Sequence, residues 1–312
     1  MTTLAEVKQN LKKSRWTKLV WLIPAALVLL VVAVLAARWL RELPGVASYL
    51  ETYPGESHLP AAAPVGFPAW LGWQHFLNAF LMVLIIRTGW LIRTTTRPPA
   101  YWTRNNKGLI RTKKPPTKMS LHVWLHLSLD ALWVLNGIVF FVLIFATGQW
   151  MRLVPVSWDV FPNAVSVAIQ YLSLDWPTEN GWVNYNSLQL ITYFVTVFIA
   201  APLAIISGLR MSPAWSTSWS RLNKAYPVEL ARKIHVPVMV YFVLFIIGHV
   251  TLVLATGALR NLNHMFAARD DASWVGFWYF AASLVIIIVA WVAARPMVLS
   301  SIASVTGKVT RR

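Results

Sequence analysis

Six long apolar segments dominate the chain, and shorter polar segments separate them. They are numbered here as spans 1 to 6, with approximate bounds Leu19 to Leu40, Trp70 to Ile92, His122 to Thr147, Leu188 to Leu209, Ile234 to Gly257 and Trp274 to Ala294. Each reaches the roughly 20 residues that a helix needs to cross about 30 Å of hydrocarbon. Uninterrupted apolar runs favour helices, because strands of a membrane barrel show short segments of alternating polarity. The pattern therefore predicts an all-α integral membrane protein with six transmembrane helices.

The composition agrees with this class. Of the 312 residues, 57% are apolar and only 12% are charged, which is outside the range of a soluble domain. We expect span 1 to be retained, because Arg38-Trp39-Leu40-Arg41 does not resemble the small-residue cleavage site of a signal peptide. The sequence predicts a single membrane domain over residues 1–312. Outside the spans, it predicts a short surface helix at Ala164 to Leu174 and an irregular basic loop at Thr94 to Lys118, which contains two Pro-Pro pairs.

Basic residues are concentrated in alternate loops. The net charge is +17, and most of the Lys and Arg residues precede span 1, follow span 2, separate spans 4 and 5, or follow span 6. Because cytoplasmic loops carry an excess of basic residues, both termini are expected in the cytoplasm of a bacterium, with the spans in its plasma membrane. The charge thus indicates topology and contact with membrane lipid, and it argues against nucleic-acid binding.

Histidines supply the candidate chemistry. Five of the seven lie within or at the ends of the spans: His75, His122, His126, His235 and His249. Ionisable residues inside a membrane usually face the bundle interior, where they serve ion pathways, proton relays or cofactors. The other two, His58 and His264, are expected to be ordinary surface residues. The chain has no cysteine, which excludes a thiolate-bound iron-sulfur cluster, covalently attached haem and disulfides.

The spacing within span 5 predicts two histidine sites. His235 and His249 are fourteen residues apart, about 40° short of four full helical turns and about 21 Å along the axis. Span 2 is antiparallel to span 5 in the predicted topology, which brings His75 to the depth of His249. Span 3 brings a histidine near His235; counting from the span ends favours His126, and His122 stays open as the alternative. Two such pairs at two depths are what two b-type haems need.

Two other interpretations of the histidines compete with haem ligation. Isolated histidines in membrane helices often bond to a carbonyl or a hydroxyl group and only serve packing. Alternatively, the chain is a haem-free proton-coupled transporter with a histidine relay, but such proteins usually contain an inverted repeat, and we detect none. Four histidines that match in depth across three spans favour the haem interpretation.

Two segments also resemble a known family. The run Trp73-Gln74-His75-Phe76-Leu77-Asn78-Ala79-Phe80, which ends in Thr88-Gly89, resembles the first haem helix of the bacterial cytochrome b561-like superfamily. This superfamily includes the membrane cytochrome b subunits of formate dehydrogenases, nickel-iron hydrogenases and thiosulfate reductases. The run from His235 to Gly248-His249 resembles the last haem helix of that superfamily.

The resemblance implies a four-helix haem-binding bundle of spans 2 to 5, about residues 70–257, flanked by span 1 and by span 6. The bundle would bind two haems b through His75, His249, His235 and a histidine of span 3. It would carry electrons across the bilayer between a quinone pool and a redox partner protein, such as a molybdenum-dependent oxidoreductase, as the electron-transfer subunit of a complex. Span 1 precedes the first haem helix and so inverts the bundle relative to family members that begin with that helix. The side of the membrane on which their partner protein docks therefore cannot be carried over to this chain.

Polar and small residues in the spans give further expectations. Asp130 follows His126 by four residues and shares its face. This position fits an acceptor that orients the imidazole, a carrier of quinone protons or a plain interhelical hydrogen bond. Arg87 lies three turns beyond His75 and either contacts a haem propionate or extends to the interface. Glycines at positions 89, 137, 208 and 248 admit either a flat macrocycle or close helix packing.

Overall fold

The computed structural model describes residues 15–106, 115–176 and 180–311. In that part of the chain, six helices are long and apolar enough to cross a membrane. Their bounds are Val20–Glu42, Ala69–Thr94, Leu121–Ala146, Ser187–Met211, Val228–Ala255 and Val275–Ala293. The prediction of an all-α membrane protein with six spans is therefore confirmed. The basic residues expected ahead of span 1, such as Lys8 and Lys12, and those at 107–114 lie outside the described residues.

The described chain folds as two compact units. In the first, span 1 is followed by a helix at Pro44–Thr52, and a further helix at Val160–Leu172 packs against span 1. Arg38 donates from Nε to the Ser173 carbonyl at 3.0 Å, and Arg41 donates to the Ser173 hydroxyl at 2.9 Å. The Val160–Leu172 helix overlaps the short surface helix that the sequence predicts for this loop, starting four residues earlier than residue 164.

The second unit contains spans 2, 3, 5 and 6 and most of span 4. Span 2 packs along span 3 through a buried cluster of Leu81, Leu84 and Leu129. Spans 2, 4 and 5 meet at a second cluster of Met82, Ala200 and Phe242. Many other apolar side chains of these spans are exposed, because the lipid covers them and a thick protein core is not required.

Local signals account for the beginning of span 3 and the shape of span 4. The side chain of Ser120 caps span 3 by accepting a hydrogen bond from the Val123 amide at 3.3 Å. Span 4 contains a π-helical segment, Val195–Ala200, between α-helices Ser187–Phe194 and Ala201–Met211. A π-helix adds a residue to a turn and so changes which side chains face the neighbouring span.

A three-stranded antiparallel sheet lies beyond the spans, where the sequence predicts an irregular basic loop after span 2. Strand β1 (Ala100–Arg104) pairs with β2 (Met119–Ser120) and with β3 (Gly307–Arg311), in the order β2-β1-β3. The loop prediction is wrong for β1. Its main partner is more than 200 residues away, and Tyr101 stands opposite Thr310. This pairing puts the loop after span 2 and the segment after span 6 on the same side of the membrane.

A short helix after span 6 completes this region. It spans Pro296–Ser304, and its Ala303 carbonyl accepts a hydrogen bond from the Trp102 indole at 3.0 Å. Leu121, at the start of span 3, belongs to the same buried cluster as Trp102 and Leu299. The sheet is thereby anchored to the end of the helical bundle.

Candidate functional site

Four of the five intramembrane histidines form two facing pairs. The ring centroids of His75 and His249 are 6.2 Å apart, with an angle of 54° between the ring planes. The ring centroids of His126 and His235 are 6.4 Å apart, at 77°. These are called the His75 pair and the His126 pair below. Each pair joins span 5 to a different neighbour, span 2 or span 3, near opposite ends of span 5.

Span 3 offers two histidines, and His126 is the one that faces His235. Its Nδ1 lies 2.8 Å from the hydroxyl oxygen of Thr88 on span 2. His122 lies one turn closer to the start of span 3, and its Nδ1 is buried without a hydrogen-bond partner among the described residues. The geometry therefore supports His126 as the residue paired with His235.

His235 has a matching environment. Its Nδ1 lies 2.9 Å from the hydroxyl oxygen of Ser207 on span 4. A Cβ atom built on Gly208 would lie 3.4 Å from Cε1 of His235, just as one on Gly89 would lie 3.4 Å from Cε1 of His126. These two glycines thus allow a close approach of an imidazole, whereas a Cβ on Gly137 would meet no atom of the described residues within 4 Å.

Aromatic rings surround the His75 pair. Phe245 stacks on His249 at 5.5 Å with only 10° between the planes, and Tyr193 meets the same ring edge-on at 6.1 Å. Phe266 meets His75 edge-on at 5.5 Å. Nδ1 of His75 is buried with no hydrogen-bond partner among the described residues. The environment of this pair is therefore less polar than that of the His126 pair.

Asp130 follows His126 by four residues and Arg87 directly precedes Thr88. The two side chains have different contacts. A carboxylate oxygen of Asp130 is 3.7 Å from Nε2 of His126, beyond hydrogen-bonding distance, whereas Nδ1 of His126 lies 2.8 Å from the Thr88 hydroxyl oxygen. Arg87 turns to span 6, where it donates to the Ala294 carbonyl. The proton-carrying role of Asp130 and the propionate contact of Arg87 stay predictions.

An apolar cavity of about 440 Å³ lies between spans 2, 5 and 6. Its wall includes Trp90, Met239 and Trp291, with Arg87 as the charged residue. A Cβ on Gly89 would be close to both His126 and Met239, so the cavity adjoins the His126 pair. Trp90 is 58% exposed, which leaves this side of the cavity open toward lipid.

His264 is buried, so the expectation of an ordinary surface residue is wrong for it, whereas His58 is exposed as expected. The ring of His264 packs against Phe67 at 5.8 Å. Its Nε2 is 2.8 Å from a carboxylate oxygen of Asp270. Burial lowers the pKa of His264, and the hydrogen bond from this ring holds the pKa of Asp270 below its usual range. No local pattern in the sequence indicates that His264 packs against Phe67, since Phe67 is far away along the chain.

Among residues 15–106, 115–176 and 180–311, no group of three or more His, Cys, Asp or Glu side chains is placed to hold a metal ion. The candidate chemistry therefore depends on the two imidazole pairs. A family model described as prokaryotic cytochrome b561 matches residues 66–268, well over half of the chain. The chain belongs to the prokaryotic cytochrome b561 family. The match includes all five intramembrane histidines and spans 2 to 5. The resemblance found in the sequence is thus confirmed.

Comparison with curated proteins gave no match, and comparison with solved structures gave none either. Membership of the cytochrome b561 family implies an electron-transfer protein of the membrane that binds haem b. It also favours the cytochrome hypothesis over the haem-free transporter.

The imidazole pairs of this b561 cytochrome can be tested for fit to haem iron. If both rings of a pair bound one metal ion through a nitrogen, with metal–nitrogen bonds of about 2.0 Å and each nitrogen about 1.1 Å from its ring centroid, the centroids would lie about 6.2 Å apart. The observed separations are 6.2 and 6.4 Å. Two neutral imidazoles are also the donor set that a b-type haem takes when the porphyrin supplies the other four ligands. The residues present fit the group.

Proposed function

We propose that this chain binds two haems b and carries electrons across the membrane between a quinone and a partner redox protein. The observation that supports the proposal is the pair of matched imidazole separations, 6.2 and 6.4 Å, at two levels of one bundle. His75 and His249 would hold one haem, and His126 and His235 would hold the other. Haem supplies reversible one-electron chemistry at its iron when bound.

The protein's own residues would orient and insulate the two sites. Phe245 and Tyr193 pack against His249, which restricts its ring and excludes water from this level. Thr88 and Ser207 contact the rings of the other pair. Between the two levels, the Phe242 side chain of span 5 is buried in a cluster with Met82 and Ala200.

Quinone would bind in the cavity beside Trp90 and Trp291. A volume of about 440 Å³ is within the range of small-molecule sites, and its apolar wall opens toward the lipid in which quinones dissolve. The cavity adjoins the His126 pair through Gly89. Replacement of Met239 by Trp should fill the cavity and slow haem reduction by a soluble quinol, whereas chemical reduction by dithionite should be unchanged. Equal quinol rates in the variant and the wild type would place quinone elsewhere.

Haem content tests the central proposal. Purified wild-type protein should contain about two haems b per chain, and His75→Ala and His249→Ala should each lower the ratio to about one by removing the same spectral component. His58→Ala is the matched control, because His58 is an exposed histidine outside the spans. A wild-type protein that contains a single haem, or variants that lose different haems, would contradict the pairing.

The orientation and the partner are separate parts of the proposal. Basic residues follow spans 2, 4 and 6, which supports a cytoplasmic location of both termini. The chain lacks cysteine, so single cysteines can report sidedness: Lys308→Cys should resist a membrane-impermeant maleimide in intact cells, and Asp271→Cys should react. We further propose a molybdenum-dependent oxidoreductase as partner. Identification of the protein that copurifies in mild detergent tests that choice.

A further inference from the structure

The hydroxyl groups of Thr88 and Ser207 lie within hydrogen-bonding distance of Nδ1 in the two rings of the His126 pair. The Thr88 hydroxyl oxygen lies 2.9 Å from the carbonyl oxygens of Leu84 and Ile85 in its own helix and 2.8 Å from His126 Nδ1. A hydroxyl group has one proton to donate, and two nearby carbonyl oxygens can only accept it. If the hydroxyl donates to a carbonyl, its oxygen accepts from His126, so Nδ1 carries the proton.

Ser207 repeats this arrangement on span 4. Its hydroxyl oxygen is 2.5 Å from the Leu203 carbonyl oxygen and 2.9 Å from His235 Nδ1. By the same reasoning, if the Ser207 hydroxyl donates to the Leu203 carbonyl, its oxygen accepts from His235 and Nδ1 of that ring carries the proton. In a neutral imidazole, the other nitrogen then keeps its lone pair. Both rings of the pair therefore have Nε2 available as a ligand atom.

Each hydroxyl residue is followed by a glycine that faces the same ring. Gly89 follows Thr88, and Gly208 follows Ser207; a Cβ on either glycine would be 3.4 Å from the Cε1 atom of the imidazole. The glycine lets the helix backbone lie against the ring edge while the hydroxyl group binds Nδ1. Thr88-Gly89 of span 2 and Ser207-Gly208 of span 4 thus make the same two contacts, the first pair with His126 and the second with His235.

No hydroxyl group contacts Nδ1 of His75 in this way among the described residues. Nδ1 of that residue is buried and has no hydrogen-bond partner among the described residues. Phe266 lies against the ring instead. The imidazoles at the two levels of the bundle therefore differ in the hydrogen bonding of Nδ1.

We infer that Thr88 and Ser207 are positioning residues that fix the tautomer of His126 and His235 and lower the reduction potential of the haem held by this pair. The inference rests on the proposed function. A metal-bound histidine that donates its second N–H to an acceptor becomes a more basic ligand. A more basic ligand stabilises the oxidised iron, which has the higher charge, and so makes the potential more negative. The acceptor hydroxyls therefore act on the His126 level only.

Substitutions that remove one hydroxyl test the inference. Thr88→Val keeps the shape of the side chain, and Ser207→Ala removes little volume. A potentiometric titration followed in the haem absorbance bands should resolve two components, of which one should shift to a more positive potential in either variant, and shift further in the double variant. The second component should keep its wild-type potential.

Matched controls separate the hydroxyl contact from general effects on a span. Ser128→Ala and Thr251→Val remove hydroxyls that donate to a carbonyl of their own helix, at 2.8 Å in both cases, and that have no hydrogen bond to a histidine among the described residues. Both controls should leave the two potentials unchanged. Thr88→Ser retains the hydroxyl group and should restore the wild-type potential. If Thr88→Val fails to assemble with haem, retention of that haem in Thr88→Ser supports the same conclusion.

The inference is overturned if Thr88→Val and Ser207→Ala keep full haem content and both wild-type potentials, or if Thr88→Ser behaves like Thr88→Val. Failure of the proposed function has a different signature, because the wild-type protein would then lack a haem at this level altogether. Electron paramagnetic resonance of the oxidised protein gives a second readout. The signal of one haem should change in the hydroxyl variants, since ligand basicity and ring orientation both affect it.

Discussion

Arg87 on span 2 donates a hydrogen bond from Nη1 to the carbonyl oxygen of Ala294, 3.0 Å away, directly after span 6. Its guanidinium carbon also lies 5.0 Å from the ring centroid of Trp291. The last carbonyl groups of a helix have no partner within that helix and carry partial negative charge. Arg87 thus caps span 6 and fastens it to span 2.

The cap predicts the effect of removing this charge. Arg87→Gln should lower the free energy of unfolding by about 1 to 2 kcal/mol, because the hydrogen bond and the ring contact are both lost. Thermal unfolding in detergent measures the change, and Arg93→Gln is the control because Arg93 is exposed in the same helix. Both haem potentials should stay unchanged. A more negative potential for one haem would instead support the propionate contact predicted from the sequence.

The two histidines of span 3 should differ in their effect on haem content. His126→Ala is expected to lower the content from about two haems per chain to about one, since this ring faces His235. His122→Ala should retain both haems. Pyridine haemochrome spectra of the purified variants, normalised to protein, make the comparison. The opposite pattern would identify His122 as the ligand and require a rearrangement of span 3.

Gly276 provides a prediction for packing near the start of span 6. A Cβ at this position would lie 2.5 Å from backbone atoms of Leu262 and Asn263, and its amide donates to Asn263 Oδ1 at 2.6 Å. Gly276→Ala should therefore destabilise the protein by about 1 to 3 kcal/mol, as forced overpacking does. Gly137→Ala is the matched control, since its Cβ would meet nothing within 4 Å. Unfolding temperatures that are equal for these two variants would contradict the packing argument.

The buried His264 predicts a loss of local stability in acid. Burial lowers its pKa below the ordinary value of 6.5, so the unfolded segment binds a proton more readily than the folded one. Stability should consequently fall as the pH drops through about 6.5. Asp270 acts in the same direction at lower pH, because the stability from its lowered pKa is present above about 3.9 and is lost below that value.

Amide hydrogen exchange across residues 258–271 measures this effect. After correction for the intrinsic pH dependence, exchange should become faster between about pH 7.5 and about pH 5.5. His264→Gln removes the titrating ring and should flatten the profile, whatever its absolute rate. A wild-type profile without a pH-dependent component in this range would show that His264 does not control the segment.

The spans could be predicted from the sequence because membrane insertion depends on the apolar character of consecutive residues. Helical periodicity and antiparallel topology likewise bring His75 to the level of His249, and both can be read from residue positions. The family resemblance also depended on local runs around these histidines. These features needed no knowledge of side-chain packing.

Tertiary structure decided the remaining features, because each depends on residues far apart in the chain. Thr88 meets His126 across two spans, and no local pattern shows that its hydroxyl faces a ring. A hydroxyl residue followed by glycine at both Thr88-Gly89 and Ser207-Gly208 was the available sequence signal. Strand β1 could likewise not be predicted from its own residues, because it pairs with β3 at the other end of the chain. The sequence thus determined which segments enter the membrane and at what depth the histidines lie, whereas long-range packing determined the partner of each ring.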